Sequence, residues 1–135
     1  MHPLLDEYAT YHRDSRNRLM HEIGIPLIVL GITAVLRIAH LGAIDLALVA
    51  IVAVSIYYAR IAGMLAAPAI AGLVVIYLVA AFVSWPLAIV LFLIGWIFQF
   101  IGHVYEGKKP AFLTNLLHLL VGPLWIGVIL TRRHA

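Results

Sequence analysis

Late in the chain, Gln99, His103 and Glu106 stand at i, i+4 and i+7. On a helix this spacing puts an amide, an imidazole and a carboxylate on one face. Residues 96–111 leave a long apolar run, pass a charged turn, and enter a second apolar run. Ionisable groups kept where a membrane helix meets water are costly and point to function. A second polar motif, residues 11–21, lies near the other end of the sequence and carries His12, Asp14, Arg16, Asn17 and His21. Neutral imidazoles with a carboxylate are ligands for non-haem iron. They also suit zinc, and spacing alone does not choose between the two. An iron site that uses oxygen keeps positions open for substrate and O2. Asn17, Gln99 and Asn115 are candidates to fix histidine orientation.

These motifs need a scaffold, and composition says which kind. Of the 135 residues, 64% are hydrophobic and 11% charged, with mean hydropathy +1.07. A soluble domain carries about 25% charge. The chain therefore reads as an integral membrane protein, all-α, with residues 1–135 forming a single helical membrane domain. There is no cysteine, so thiolate ligands and disulfides are excluded. The net charge of +3 does not call for nucleic acid, because membrane topology alone accounts for where the basic residues lie. Residues 1–22 are polar, so no cleavable signal is expected.

A short amphipathic helix is expected over 1–11, with Leu4, Leu5, Tyr8 and Tyr11 on one face, resting at the membrane interface. Asp14-Ser15 reads as a break and a new N-cap. On one straight helix, His12 and His21 would lie about 180° apart; a turn at Asp14 brings them together. About five membrane segments follow, near 15–39, 44–61, 64–83, 86–105 and 111–130. Each is close to the roughly 20 residues needed to cross about 30 Å of hydrocarbon. Pro26 is a predicted kink in the first, and Pro68 falls in the first turns of the third.

Four crossings return the chain to its starting side at Glu106–Pro110, so both polar motifs share one face of the membrane. That side carries Arg13, Arg16, Arg18, Arg60, Lys108 and Lys109, against Arg37, Arg132 and Arg133 on the other. The positive-inside rule makes the first side, and the N-terminus, cytoplasmic. Arg132 and Arg133 fit this rule only if the fifth segment is re-entrant.

Each candidate also has a plain structural reading. A single interfacial histidine is usually just solvated; three on one side, with Gln and Glu on the same stripe, weigh against that. Glu106 beside Lys108 and Lys109 could be a surface charge cluster. Asn17 could be only a helix-start residue, and Gly102 could serve close helix packing. Arg16, Lys108 and Lys109 set topology first, and as a second role could bind the acidic head of a substrate. Trp85, Trp96 and Trp125 read as interface anchors. His2, His40 and His134 are assigned no role.

Tyr11-His12, Asn17, His21 and Pro26, followed by Trp96 through His103, Glu106, Lys108-Lys109-Pro110-Ala111, Asn115-Leu116 and Pro123, closely resemble the membrane-embedded 2-hydroxy fatty acid dioxygenases. Fungal members of that family serve the breakdown of phytosphingosine to odd-numbered fatty acids. The resemblance covers nearly the whole chain and is specific in the two polar motifs. It implies an Fe2+-dependent enzyme that uses O2 to shorten a 2-hydroxy fatty acid by one carbon (fatty acid α-oxidation). It further implies His12, His21 and His103 as iron ligands, with Glu106 as a fourth ligand or hydrogen-bond partner. Asn17, Gln99 and Asn115 would support the site. His118 falls where the family has Gln and is a further candidate only. The short length is similar to that of bacterial members, which implies a bacterial inner membrane.

The competing reading is a non-catalytic small membrane protein, a transporter subunit or assembly factor. A transporter would place polar groups near the bilayer midplane, whereas here they gather at one interface. A di-iron hydroxylase or desaturase would need HxxH pairs, and the zinc hydrolase motif H-E-x-x-H is also absent.

Overall fold

Helix α1 spans Pro3–Thr10. Pro3 opens it, where a missing N–H is no loss, and His2 Nδ1 accepts from the Leu4 amide at 3.1 Å. This computed structural model describes residues 2–107 and 117–134. Within them, α2 spans Ser15–Leu36, α3 Leu46–Ala62, α4 Ala67–Ala80, α5 Trp85–Glu106 and α6 Leu117–His134. The only strands among the described residues are β1 (His40–Leu41) and β2 (Ile44–Asp45), paired antiparallel across Gly42. The fold is an all-α membrane bundle: a short N-terminal helix, then five longer ones.

Asp14 caps α2, accepting from the Arg16 amide at 2.8 Å. The break at Asp14 therefore turns the chain, and α2 starts afresh one residue later. Glu106 ends α5, and Gly107 follows at φ +73°, a left-handed conformation that closes the helix.

Three segments are long and apolar enough to cross a membrane: Ser15–Leu36, Leu46–Ala80 and Trp85–Glu106. The middle one is folded back on itself. Gly63, at φ +56°, ends α3, and a 3-10 turn over Gly63–Ala66 leads into α4. Asp45 at the start of α3 then accepts from the Tyr77 hydroxyl near the end of α4, at 2.7 Å. The two arms have 17 and 14 residues, or roughly 25 and 21 Å. The expected third segment thus loses residues to the turn at each end. The apolar part of α6, Leu120–Thr131, is also short of a full crossing.

Two kinds of packing hold the bundle. The first is the seam between α2 and α5. A Cβ on Gly24 would lie 2.8 Å from the Gly95 carbonyl oxygen, and one on Gly31 would lie 2.6 Å from that of Ala88. Backbone meets backbone there, as small residues allow between membrane helices. The second is a core of Leu5, Tyr8, Ile25, Tyr58, Leu124 and Trp125, joining α1, α2, α3 and α6. Leu5 and Tyr8 are buried in this core, so protein, and not a bilayer surface, covers the apolar face of α1. Pro123 removes a helix donor in α6, and the Tyr58 hydroxyl donates to the Leu120 carbonyl nearby at 2.5 Å. Outward-facing apolar residues such as Phe82 and Val104, exposed at 90% and 79%, are those that hydrocarbon would cover.

Candidate metal centre

The α2–α5 seam brings two histidines together. His21 lies two turns into α2 and His103 one turn before the end of α5, with ring centroids 4.8 Å apart. The turn at Asp14 folds His12 onto both, at 4.3 Å from His21 and 5.1 Å from His103. All three are buried, at 0%, 2% and 6% exposure. One ligand nitrogen from each lies within 4.8 Å of the others, and no carboxylate joins the set among the described residues.

Hydrogen bonding fixes two of these rings. His12 Nδ1 lies 2.7 Å from the Tyr8 carbonyl oxygen, and His21 Nδ1 lies 3.0 Å from that of Asn17. A carbonyl oxygen only accepts, so in both rings Nδ1 carries the proton. The two Nε2 lone pairs then face each other at 3.1 Å. At that distance either one ring carries a second proton that the other accepts, or a cation lies between or beside the two nitrogens. The third ring adds an unmet demand: His103 Nδ1 is buried without a hydrogen-bond partner among the described residues. The donor set fits a divalent transition metal with open positions.

The second layer is partly apolar. Tyr8 stacks on His12 with centroids 4.1 Å apart, and Trp125 packs against both, 4.9 Å from His12 and 5.1 Å from Tyr8. Burial pushes the Tyr8 hydroxyl well above its usual range, with Tyr58 adding to the effect, so it stays protonated. Asn17 and Gln99 are also buried. Asn17 Nδ2 donates to the Tyr11 carbonyl at 3.0 Å, while Asn17 Oδ1 and Gln99 Nε2 have no partner among the described residues. A Cβ on Gly102 would collide with Asn17 Oδ1, so this glycine makes room for the site.

Glu106 is a hydrogen-bond partner and lies outside the three-histidine set. Its Oε1 accepts from the Arg13 amide, and its Oε2 from the Asp14 amide at 2.6 Å. Arg16 is engaged with Asp14, Nη2 to Oδ2 at 3.1 Å, and lies over the Tyr105 ring at 4.5 Å. This pairing holds the Asp14 carboxyl below its usual range. Lys108, Lys109 and Asn115, and the side chain of His118, lie outside the described residues. Sequence reasoning missed Tyr8, Arg18 and Trp125. Tyr8 had a signal, lying four residues before His12 on the same short helix. Trp125 had none, because an interface anchor and a wall of the site look alike in sequence.

Fold and site define a class: a membrane helical bundle with a buried three-histidine centre at one end. The chain belongs to the family described as 2-hydroxy-palmitic acid dioxygenase Mpo1-like, which it matches over residues 2–134. It is similar to the 2-hydroxy-palmitic acid dioxygenase MPO1 of Saccharomyces cerevisiae, with 34% identity over 122 residues, covering 84% of this chain and 69% of that protein. No solved structure matches.

Proposed function

We propose that this protein is an Fe2+-dependent dioxygenase of 2-hydroxy fatty acids, shortening them by one carbon with O2 in fatty acid α-oxidation. Family membership and the activity for which the yeast relative is named support the substrate class. The observation that carries the metal is the pair of Nε2 atoms 3.1 Å apart, both rings having committed Nδ1 to carbonyls. His12, His21 and His103 hold the ion. Bound Fe2+ supplies the one-electron chemistry that triplet O2 requires.

The chain's own groups do the rest. The Tyr8 and Asn17 carbonyls fix the tautomers of His12 and His21. Gln99 Nε2, buried and unpartnered, offers a donor to the acid head of the substrate. Asn17 Oδ1 offers an acceptor to its 2-hydroxyl. Tyr8 and Trp125 keep bulk water from the His12 side. Arg16, Lys108 and Lys109 serve to draw the acidic head of the substrate inward. The acyl chain lies along α2 and α5 in the apolar layer of a bacterial inner membrane, with the N-terminus cytoplasmic. An apolar groove of about 240 Å³ between these helices, lined by Gly31, Val35, Ala88 and Phe92 among others, begins roughly 15 Å along α2 from His21. It lies too far from the histidines to be the reaction site and suits the distal part of a chain.

The test is metal content after anaerobic purification in detergent, followed by O2 uptake with 2-hydroxy fatty acids. About one iron per chain is expected, lost in His21→Ala and His103→Ala with membrane insertion intact. Zinc in place of iron would turn the reading to hydrolysis. No metal after Fe2+ is supplied would return it to a non-catalytic membrane protein.

A further inference from the structure

His21 and His103 ride on helices locked together by the glycine seam, whereas His12 lies in the turn between α1 and α2. The Tyr11 and His12 amides still donate to the Tyr8 and Ala9 carbonyls, each at 3.1 Å, but these bonds tie the turn only to α1 and not to the helices that carry His21 and His103. Here side chains do that work. Asn17 Nδ2 donates to the Tyr11 carbonyl at 3.0 Å, and Arg18 Nε donates to the His12 carbonyl at 2.5 Å. Glu106 accepts from the amides of both Arg13 and Asp14. Four consecutive residues, 11–14, thus have a backbone group held by a side chain from α2 or α5.

We propose that Glu106 and Arg18, with Asn17, are positioning residues that clamp the 11–14 backbone so that His12 meets the ligand nitrogen of His21. The placement of Glu106 supports this. A carboxylate on the last residue of a helix opposes the helix dipole, so α5 gains nothing from it. The same carboxylate faces the N-terminal end of α2, where the dipole and the free amides favour it. Its bonds reach across 92 and 93 residues of sequence, joining the helix that carries His103 to the turn that carries His12. A charged acceptor taking two amides is also among the stronger hydrogen-bond arrangements. Arg18 acts from the other side: its carbonyl contact is the residue next to the one Asn17 holds, so the turn is gripped from both ends.

This inference rests on the metal reading above, and the experiment separates the two. Full-length protein in detergent is titrated anaerobically with Co2+ as a spectroscopic probe, and backbone amide exchange is followed alongside. Wild type, Glu106→Ala, Glu106→Gln, Arg18→Ala and Arg18→Lys are compared. Glu106→Ala and Arg18→Ala should weaken Co2+ binding about 10–100-fold, the usual effect of losing a group that orients a ligand. Glu106→Gln, which keeps one carbonyl acceptor, should fall between wild type and alanine. In Glu106→Ala the amides of Arg13 and Asp14 should lose protection while those of the α2–α5 seam keep theirs. If Glu106→Ala does not fold, Arg18→Lys, which keeps charge and stem but loses the guanidinium Nε, must still weaken Co2+ binding. Lost protection at residues 13 and 14 with unchanged Co2+ affinity would overturn the proposal, as would unchanged protection. Wild type that binds no Co2+ would sink the metal reading instead, while the exchange data would still judge the clamp.

Discussion

The two ends of the bundle both bury polar side chains, and they treat them in opposite ways. At the end away from the histidines, Asp45 accepts from the Leu48 amide and the Tyr77 hydroxyl, each at 2.7 Å. Arg37 lies over the Tyr77 ring at 4.1 Å and donates to its carbonyl at 3.2 Å. Every side chain in this group has a partner, and the group ties the β turn and α2 to the α3–α4 hairpin. At the histidine end, Asn17 Oδ1, Gln99 Nε2 and His103 Nδ1 are buried without partners, and two imidazole lone pairs face each other. A satisfied network is finished structure. An unsatisfied one in a low-dielectric setting is strained until something binds.

The widest separation between the ends should come from paired substitutions. His103→Leu should abolish metal binding while leaving the metal-free protein as stable or more stable. An orphaned buried polar atom costs about 1–3 kcal/mol, and leucine removes that cost. Tyr77→Phe should do the reverse, lowering the thermal midpoint without touching metal content. Metal analysis and thermal denaturation in detergent, with and without Fe2+, read both. Loss of metal in Tyr77→Phe would show that the two ends are not independent.

Glycines sharpen the comparison at a lower magnitude. Gly95 faces Gly24 so closely that a Cβ would lie 2.7 Å from the Gly24 carbonyl oxygen. Gly95→Val must part α2 from α5, destabilising the protein by about 1–3 kcal/mol and drawing His21 away from His103. Metal affinity and thermal midpoint should fall together. Gly72→Val, where nothing lies within 4 Å, should change neither. Equal tolerance of both would mean that the seam does not set the histidine spacing.

Much of this was legible in sequence, for identifiable reasons. The i, i+4, i+7 spacing put Gln99, His103 and Glu106 on one face. Counting crossings put residues 11–21 on the same side, and Asp14 marked the turn that folds His12 onto His21. The grip of Glu106 and Arg18 on the turn was not legible, because backbone amides and carbonyls carry no sequence label. Nor was the packing of α6. Hydropathy cannot tell a helix that faces lipid from one that faces protein, since both surroundings are apolar. Trp125 and Val121 are almost fully buried in protein, while Val75 and Leu78 of α4 face outward. The fold-back of α3 on α4 was visible only in part: Gly63 marked the turn, but the loss of helix at both ends of the third segment follows from local backbone geometry.

The smallest expected effect lies at the satisfied end and depends on pH. Burial pushes the Asp45 carboxyl up, but the bonds from Tyr77 and the Leu48 amide, with the nearby Arg37 and His40 charges, leave it below its usual range. A carboxyl whose folded value is depressed stabilises the fold above its unfolded value, about 3.9, and loses that contribution as pH falls through the folded value. Asp45→Asn keeps a good helix cap and removes only the charge. Its thermal midpoint should therefore sit slightly below wild type near neutrality, and the gap should close as the medium is taken below about pH 4. A gap that stays constant across that range would show that the ionised carboxylate is not what Tyr77 and Leu48 hold. Metal content at neutral pH should be identical in the two proteins, because the partners of Asp45, namely Leu48 and Tyr77, are not residues of the histidine site.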